Sequence, residues 1–271
     1  MDTVFSPSLA EPLAEPVVAS SVSVVTPAYD SATTLERTVR SVAAQTLPVK
    51  EQIIVDDGSR DDTRALVERL REEFPFLRYA RQSHRGAGRA RNLGIEMAEG
   101  HYVAFLDSDD LWLPNKLERQ IDFMQQQACL FTYGDYEEHC KERRQVLRRY
   151  RFPDRIQYDD LLVGCPVGCL TAAYDQRQLG KVYMPQARRG QDWALWLKLA
   201  RMTGGAHKYP GCSAVYHRSA DGLSSGKFRK AVDIFNIYRR QEAMPSWTAG
   251  YYVLRHTASA FIKTRTCGKK Y

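Results

Sequence analysis

Four short apolar runs, at residues 22–26, 52–55, 77–81 and 102–106, alternate with three amphipathic stretches at 33–45, 61–73 and 87–98. A handful of consecutive apolar residues suits a strand buried on both faces, whereas apolar residues at every third or fourth position suit a helix buried on one. Alternation at this short spacing leaves few solutions. Where a helix intervenes between strands they run parallel, and the helices then cover the sheet. The expected fold class is therefore α/β, with a mostly parallel central sheet covered by helices. In such sheets ligands bind beyond the carboxyl ends of the strands. This chain places its unusual polar residues there: Tyr29 follows the first strand, Asp56 and Asp57 end the second, and residues 107–110 end the fourth.

Further along, the pattern predicts a helix over 114–127 with Pro114 in its first turn, a strand over 130–136 and a strand over 169–174. Residues 138–155 form a charged connector with seven basic and three acidic side chains. Helices are expected over 191–202, 227–240 and 247–263, with a strand-like run at 214–216. Residues 1–20 lack a basic start and are broken by Pro7, Pro12 and Pro16, which suits a disordered leader and not a secretory signal. No stretch approaches the roughly 18 apolar residues that a membrane-spanning helix needs. The six cysteines include no Cys-x-x-Cys pair, which points to reduced thiols in a cytoplasmic protein.

The strongest chemical signal is Phe105-Leu106-Asp107-Ser108-Asp109-Asp110. Three carboxylates within four residues repel one another unless a cation lies among them, and such hard oxygen ligands suit Mg²⁺ or Mn²⁺. A metal held by Asp107 and Asp109 would neutralise charge on a departing diphosphate. For Asp110 a plainer role, capping the next helix, is equally open. The second signal is Val55-Asp56-Asp57-Gly58-Ser59. A strand-end carboxylate can accept the imide N–H of a uracil or the hydroxyls of a ribose. The same run also reads as a turn, sharpened by Gly58, before a helix N-cap. Tyr29 is placed to stack on a base.

The run from Ser23 to Tyr29, the Val-Asp-Asp-Gly-Ser run, Ala90-Arg91-Asn92-Leu93-Gly94 and the Asp-Ser-Asp-Asp cluster, in this order, resemble family 2 glycosyltransferases. Gln191-Asp192-Trp193-Ala194-Leu195-Trp196-Leu197 and the run from Tyr216 to Ser225 further resemble bacterial enzymes of teichuronic acid, capsule and O-antigen synthesis. The resemblance implies a GT-A fold and an inverting transfer of a hexose, UDP-glucose or UDP-galactose being the expected donor. It places Asp57 on the base with Pro27 and Tyr29 beside it, Asp107 near the ribose and metal, and Asp109 on the metal itself. Arg91 and Asn92 are carried over from the same motif, and His217 and Arg218 are matched to a segment that closes over the donor phosphates. Asp192 is the expected general base, since an inverting transfer needs one carboxylate to take the proton of the attacking hydroxyl. Gln191 stands where the family often has a second acid, which leaves Asp192 as the only carboxylate there. Trp193 and Trp196 would offer apolar or sugar-stacking surface, and Cys169 and Thr171 would line the acceptor side, although plain strand packing accounts for the last two as well.

Charge separates the tail from the rest. The +7 net charge comes from residues 225–271, which hold ten Lys or Arg and two acids, leaving 29 basic and 30 acidic residues before them. Trp247, Tyr251, Leu254, Ala258 and Phe261 lie on one helical face. With Arg255, Lys263, Arg265, Lys269 and Lys270 they suit an anionic membrane surface, or else docking onto the catalytic domain. The expected organisation is a leader (1–20), a glycosyltransferase domain (21–224, with a nucleotide-sugar half to 113 and an acceptor half from 114) and a basic helical tail (225–271). The expected acceptor is a lipid-diphosphate-linked saccharide, on a cytoplasmic enzyme peripheral to the inner face of the plasma membrane. A sugar nucleotidyltransferase is disfavoured, because no Gly-rich basic phosphate loop follows the first strand. A non-catalytic nucleic-acid or membrane binder is disfavoured by the dense carboxylates and neutral catalytic region.

Overall fold

The computed structural model describes residues 21–140, 145–187, 189–218 and 227–266, so the expected leader lies outside the described residues. Strands β1 (Val22–Ala28), β2 (Glu51–Asp56), β3 (Leu77–Arg81) and β4 (Tyr102–Phe105) alternate with helices α1 (Leu35–Ala43), α2 (Thr63–Glu73) and α3 (Ala87–Met97). All four strands are parallel, in the order β3-β2-β1-β4. Every residue of β1, β2 and β4 is buried, as a sheet covered on both faces requires. Helix α1 buries Leu35, Thr38, Val39 and Val42, and α2 buries Thr63, Leu66, Val67 and Leu70. Helix α3 lies so close to β1 that a Cβ on Gly94 would sit 2.5 Å from the Val25 side chain. Its buried face also includes Arg91, an expensive residue to bury without a partner.

The chain continues through β5 (Leu111–Trp112), α4 (Lys116–Gln126), β6 (Phe131–Cys140), β7 (Val146–Tyr150), β8 (Arg155–Ile156) and α5 (Tyr158–Val163). A 3₁₀ turn at Cys169–Thr171 leads to β9 (Ala173–Asp175), α6 (Gln176–Leu179), α7 (Gln191–Thr203) and β10 (Ala206–Arg218). These strands extend the same sheet, in the order β4-β9-β6-β10-β5, with β7 on β6 and β8 on β10. Strand β9 is antiparallel to both β4 and β6, whereas β10 runs parallel to β6.

Three elements differ from the sequence reading. The charged connector is an antiparallel hairpin: β6 runs to Cys140 and returns as β7, with Tyr136 opposite Tyr150. Nearly all of β7 is exposed, so no apolar alternation marks it as a strand. The strand expected at 169–174 opens as the 3₁₀ turn and is paired only from Ala173. The short run at 214–216 belongs to a 13-residue strand whose pairing to β6 shifts register around Cys212.

Helices α8 (Lys227–Arg240) and α9 (Ser246–Thr266) complete the described chain. Ile234, Ile237, Tyr238 and Ala249 join the main core, and the Trp193 ring meets Tyr238 at 5.4 Å and His256 at 5.1 Å. Helix α9 therefore docks on the domain, through the face of Ala249, Tyr252 and Val253. Of the face picked out by apolar periodicity, Trp247, Tyr251 and Leu254 point outward, 79%, 52% and 72% exposed, and the side chains of Ala258 and Phe261 lie outside the described ones. Among the described residues no helix is long and apolar enough to cross a membrane.

Candidate active site

The ends of β1, β2 and β4 form one edge, and the acidic residues there have separate tasks. Asp56 is fully buried; its carboxylate accepts the Ser59 N–H at 2.7 Å and the Tyr79 hydroxyl at 2.8 Å, which fixes the turn at Gly58. Asp57 accepts the backbone N–H of Arg85 at 2.7 Å, that of Gly86 at 2.8 Å and the Gln82 amide at 2.7 Å. It thereby ties the 82–86 segment, which leads into α3, to the end of β2. The largely exposed His84 lies 3.0 Å from the Asp57 carboxylate and packs its ring 4.4 Å from that of Tyr29. Tyr29 is 41% exposed, while Pro27, paired in register with Val55, is buried beneath it in β1.

The carboxylate run after β4 is held from three sides. Arg91, on α3, donates to Asp107 at 2.6 Å. Burial alone would lower the proton affinity of this guanidinium, yet Asp107, the Cys169 sulfur and Asp192 outweigh it and raise the pKa above its ordinary value. From α1, Arg37 donates to the Asp109 carbonyl at 2.8 Å and Thr38 to the Asp110 carbonyl at 2.9 Å. Ser31 and Ser108 share a hydrogen bond of 2.8 Å. Asp110 is 1% exposed and accepts the backbone N–H of His217 at 2.9 Å. It thus anchors the end of β10 to the cluster and does not cap α4. Burial first, then the charges of Asp107 and Asp109, push its carboxyl pKa well above the usual range.

Asp192 opens α7, after Gly190 in the left-handed conformation. It is partly buried, and its carboxylate accepts no hydrogen bond from another described residue. Arg91 and Cys169 both interact electrostatically with Asp107 and with Asp192, so the two acids lie in the same region of the fold. Burial, ahead of those carboxylates, holds the Cys169 thiol well above its ordinary pKa.

Other expected residues serve the scaffold. Trp193 and Trp196 are 4% and 0% exposed, the latter ring stacked on Phe131, and neither offers a sugar-stacking surface. Thr171 is buried and donates to the Gly168 carbonyl. Asn92 exchanges two hydrogen bonds with the backbone of Met184, holding the segment before α7. That segment and α3 enclose a cavity of about 260 Å³, lined by Arg85, Arg89, Asn92 and Gln191 among others. His217 is 8% exposed with its ring 6.1 Å from that of His139, and Arg218 ends β10 opposite Cys140. Tyr216, the first residue of the run matched up to Ser225, was given no role in the sequence reading. It is 40% exposed, and burial of its hydroxyl followed by the charges of Asp110, Asp109, Glu138 and Asp107 raises its pKa. Its place directly before the motif residue His217, at the end of a strand-like run, was the available signal.

Among the described residues no three His, Cys, Asp or Glu side chains converge as a complete metal cage. The donor set suits a different arrangement, in which Mg²⁺ or Mn²⁺ takes one or two carboxylates and fills its shell with water and substrate phosphates. The Asp110 pKa is raised by burial first and then by the charges of Asp107 and Asp109, and a cation there would relieve the repulsion among these carboxylates.

Residues 23–179 match the family model described as glycosyl transferase family 2. The chain is 36% identical over 244 residues to a Bacillus subtilis (strain 168) protein named for teichuronic acid biosynthesis, the glycosyltransferase TuaG, covering 89% of this chain and 96% of that one. It is 34% identical over 211 residues to the Escherichia coli UDP-Glc:alpha-D-GlcNAc-diphosphoundecaprenol beta-1,3-glucosyltransferase WfgD, covering 77% and 81%. Among solved structures, S. aureus TarS 1–349 in complex with UDP-GlcNAc superposes with a TM-score of 0.69 at 20% identity, covering 92% of this chain and 74% of that one.

Proposed function

This chain belongs to glycosyl transferase family 2 and is a glycosyltransferase of the GT-A fold, and on that premise we propose that it transfers a hexose, with inversion, from UDP-glucose or UDP-galactose to a lipid-diphosphate-linked saccharide. The product would be an intermediate of a bacterial surface polysaccharide such as an O-antigen, capsule or exopolysaccharide. One observation carries the reading: the buried guanidinium of Arg91 donates to Asp107 at 2.6 Å and lies within electrostatic reach of Asp192, far away in sequence. Two acidic centres around one small space are what donor activation and proton removal require of a single-displacement transfer. The names of WfgD and of the TarS complex support a UDP-sugar donor, and that of WfgD supports the lipid-diphosphate acceptor.

In this reading the half spanning 21–113 holds the nucleotide. Tyr29 lies against the base above Pro27, and the Asp57 carboxylate receives the base N–H, His84 moving off Tyr29 to admit it. Asp107 and Asp109 would hold Mg²⁺ or Mn²⁺, which when bound supplies positive charge to the diphosphate as it leaves. His217 and Arg218 end the β10 strand on the phosphate side, where Asp110 fixes the backbone of His217. In the acceptor half, 114–224, Asp192 takes the proton of the attacking hydroxyl. The hydroxyl oxygen forms the new bond to the anomeric carbon, the bond to the diphosphate oxygen breaks, and its electron pair departs with UDP. The outward Trp247, Tyr251 and Leu254 beside Arg255, on a tail with a net charge of +8, support peripheral contact with an anionic membrane.

The test pairs a panel of nucleotide sugars with a synthetic N-acetylglucosamine-diphosphate lipid, reading UDP release and the anomeric configuration of the product. Asp192→Asn keeps the shape but not the proton acceptor, so turnover should fall by roughly 10²–10⁴ with donor affinity unchanged. Near-normal turnover in that variant, or a product with retained configuration, would overturn the mechanism.

A further inference from the structure

With Trp193 and Trp196 buried in the core, the sugar-binding surface of the acceptor side must come from elsewhere, and one aromatic group, at the head of the run from Tyr216 to Ser225, stands near the carboxylate cluster. Tyr216 on β10 pairs in register with Glu138 on β6, and Ala214 pairs with Tyr136. Side chains two apart on a strand share a face, so Tyr136, Glu138 and Tyr216 look the same way, joined by Tyr150 directly opposite Tyr136. The rings are in contact: Tyr216 meets Tyr136 edge-on at 6.4 Å, and Tyr136 stacks on Tyr150 at 4.7 Å. Tyr150 stacks in turn on Phe152 at 6.2 Å.

Two observations direct this row toward the active site. Asp110, in the carboxylate cluster, accepts the backbone N–H of His217, the residue next to Tyr216, at 2.9 Å. Burial first, then the charges of Asp110, Asp109, Glu138 and Asp107, raise the pKa of Tyr216. A row that served only to pack the hairpin would bury its members, yet Tyr216, the ring nearest the carboxylates, is 40% exposed. Aromatic faces flanked by acids suit pyranoses, whose C–H faces lie on the rings while their hydroxyls reach the polar edge.

We propose that Tyr216, backed by Tyr136 and Tyr150, is the platform on which the acceptor's terminal sugar stacks, orienting its hydroxyl between Asp192 and the donor. The proposal rests on the glycosyltransferase reading above and names the acceptor subsite within it. The test compares Tyr216→Leu, which keeps volume without a ring, and Tyr216→Phe, which keeps the ring, with wild type and the exposed-hairpin control Leu147→Ala. Initial rates are taken with UDP-glucose and UDP-galactose against a short-chain N-acetylglucosamine-diphosphate lipid. In Tyr216→Leu the acceptor KM should rise roughly tenfold with donor KM within about twofold, and Tyr216→Phe should restore most of it. Unchanged acceptor KM in Tyr216→Leu, or a parallel rise in donor KM, would overturn the platform. Saturation-transfer NMR with N-acetylglucosamine α-phosphate gives a second readout. If the wild type transfers to no acceptor, the donor and acceptor reading fails by itself. The platform then stands if Tyr216→Leu loses the sugar signal that wild type gives, and falls if the two give equal signals or wild type gives none.

Discussion

Lys116 offers a perturbation whose sign and size follow from its surroundings. It is the first residue of α4, 0% exposed, and its ammonium has no hydrogen-bond partner among the described residues. Its one compensation is the Trp112 ring, with Nζ 3.7 Å from the centroid, worth about 2 kcal/mol when desolvated. Against this stand an effective desolvation penalty of several kcal/mol and the positive end of the helix dipole. Burial lowers the Lys116 pKa well below its ordinary value. A group whose folded pKa is depressed contributes its stability above the unfolded pKa, near 10.4, and loses it as pH falls toward the folded value. At pH 7 Lys116 is therefore a cost, limited to about 5 kcal/mol because the amine can always release its proton (about 1.4 kcal/mol for each unit below 10.4). Lys116→Met fills the same space and keeps a favourable sulfur–aromatic contact. It should stabilise the protein by about 2–4 kcal/mol at pH 7, with the gain shrinking toward zero near pH 10.4. Urea unfolding of both proteins at pH 7, 8.5 and 10 measures this directly. A variant less stable than wild type at pH 7, or a gain independent of pH, would refute the reasoning.

The pair of buried Arg91 and partly exposed Asp107 should give a coupling energy of about 1–3 kcal/mol in a double-mutant cycle of Arg91→Met and Asp107→Asn, measured by denaturant unfolding. Asp109→Ala should remain folded by circular dichroism yet lose both transfer and the enhancement of UDP binding by Mn²⁺ in calorimetry; unaltered Mn²⁺ enhancement would remove Asp109 from the metal site. Trp247→Ser combined with Leu254→Ser removes outward-facing groups only, so it should weaken flotation with anionic vesicles while leaving the melting temperature within about 2 °C. Loss of stability in that double variant would mean that this face packs on protein.

The first half of the fold was legible because its strands are buried on both faces and therefore read as continuous apolar runs. Beyond Asp110 the sheet is built from less legible pieces: β5 and β8 have two residues each, and β7 is an exposed basic edge. The acids of the site could be located because each follows a strand or opens a helix. What sequence could not convey was how their charge is satisfied. Asp57 is held by backbone N–H groups of residues 85 and 86, and Asp110 by that of His217, contacts that leave no side-chain signature. Arg91 had a partial signal, a guanidinium on the stripe of Ala90, Gly94 and Ile95 that faces the sheet. In the tail the sequence left membrane contact and docking open: Trp247, Tyr251 and Leu254 lie outside, and the contacts that dock α9 come from Ala249, Tyr252 and Val253.

How each acid is satisfied bears on which of them can act. Asp56 is committed to the turn it closes, and its carboxylate has no exposure through which a substrate could reach it. Asp57 holds the segment that carries His84, so the proposed entry of a base at Tyr29 would displace a side chain of that segment. Asp110 sits where burial favours its protonated form, which relieves part of the repulsion from Asp107 and Asp109. Asp107 is neutralised by Arg91, but Asp192 draws on the same guanidinium. One monovalent cation cannot balance both, and Asp192 has no hydrogen-bond donor of its own among the described residues. Arg91, on the buried face of α3, is in hydrogen-bond contact with Asp107 and within electrostatic reach of Asp192, so it links the acid proposed for the donor side to the acid proposed for the acceptor side.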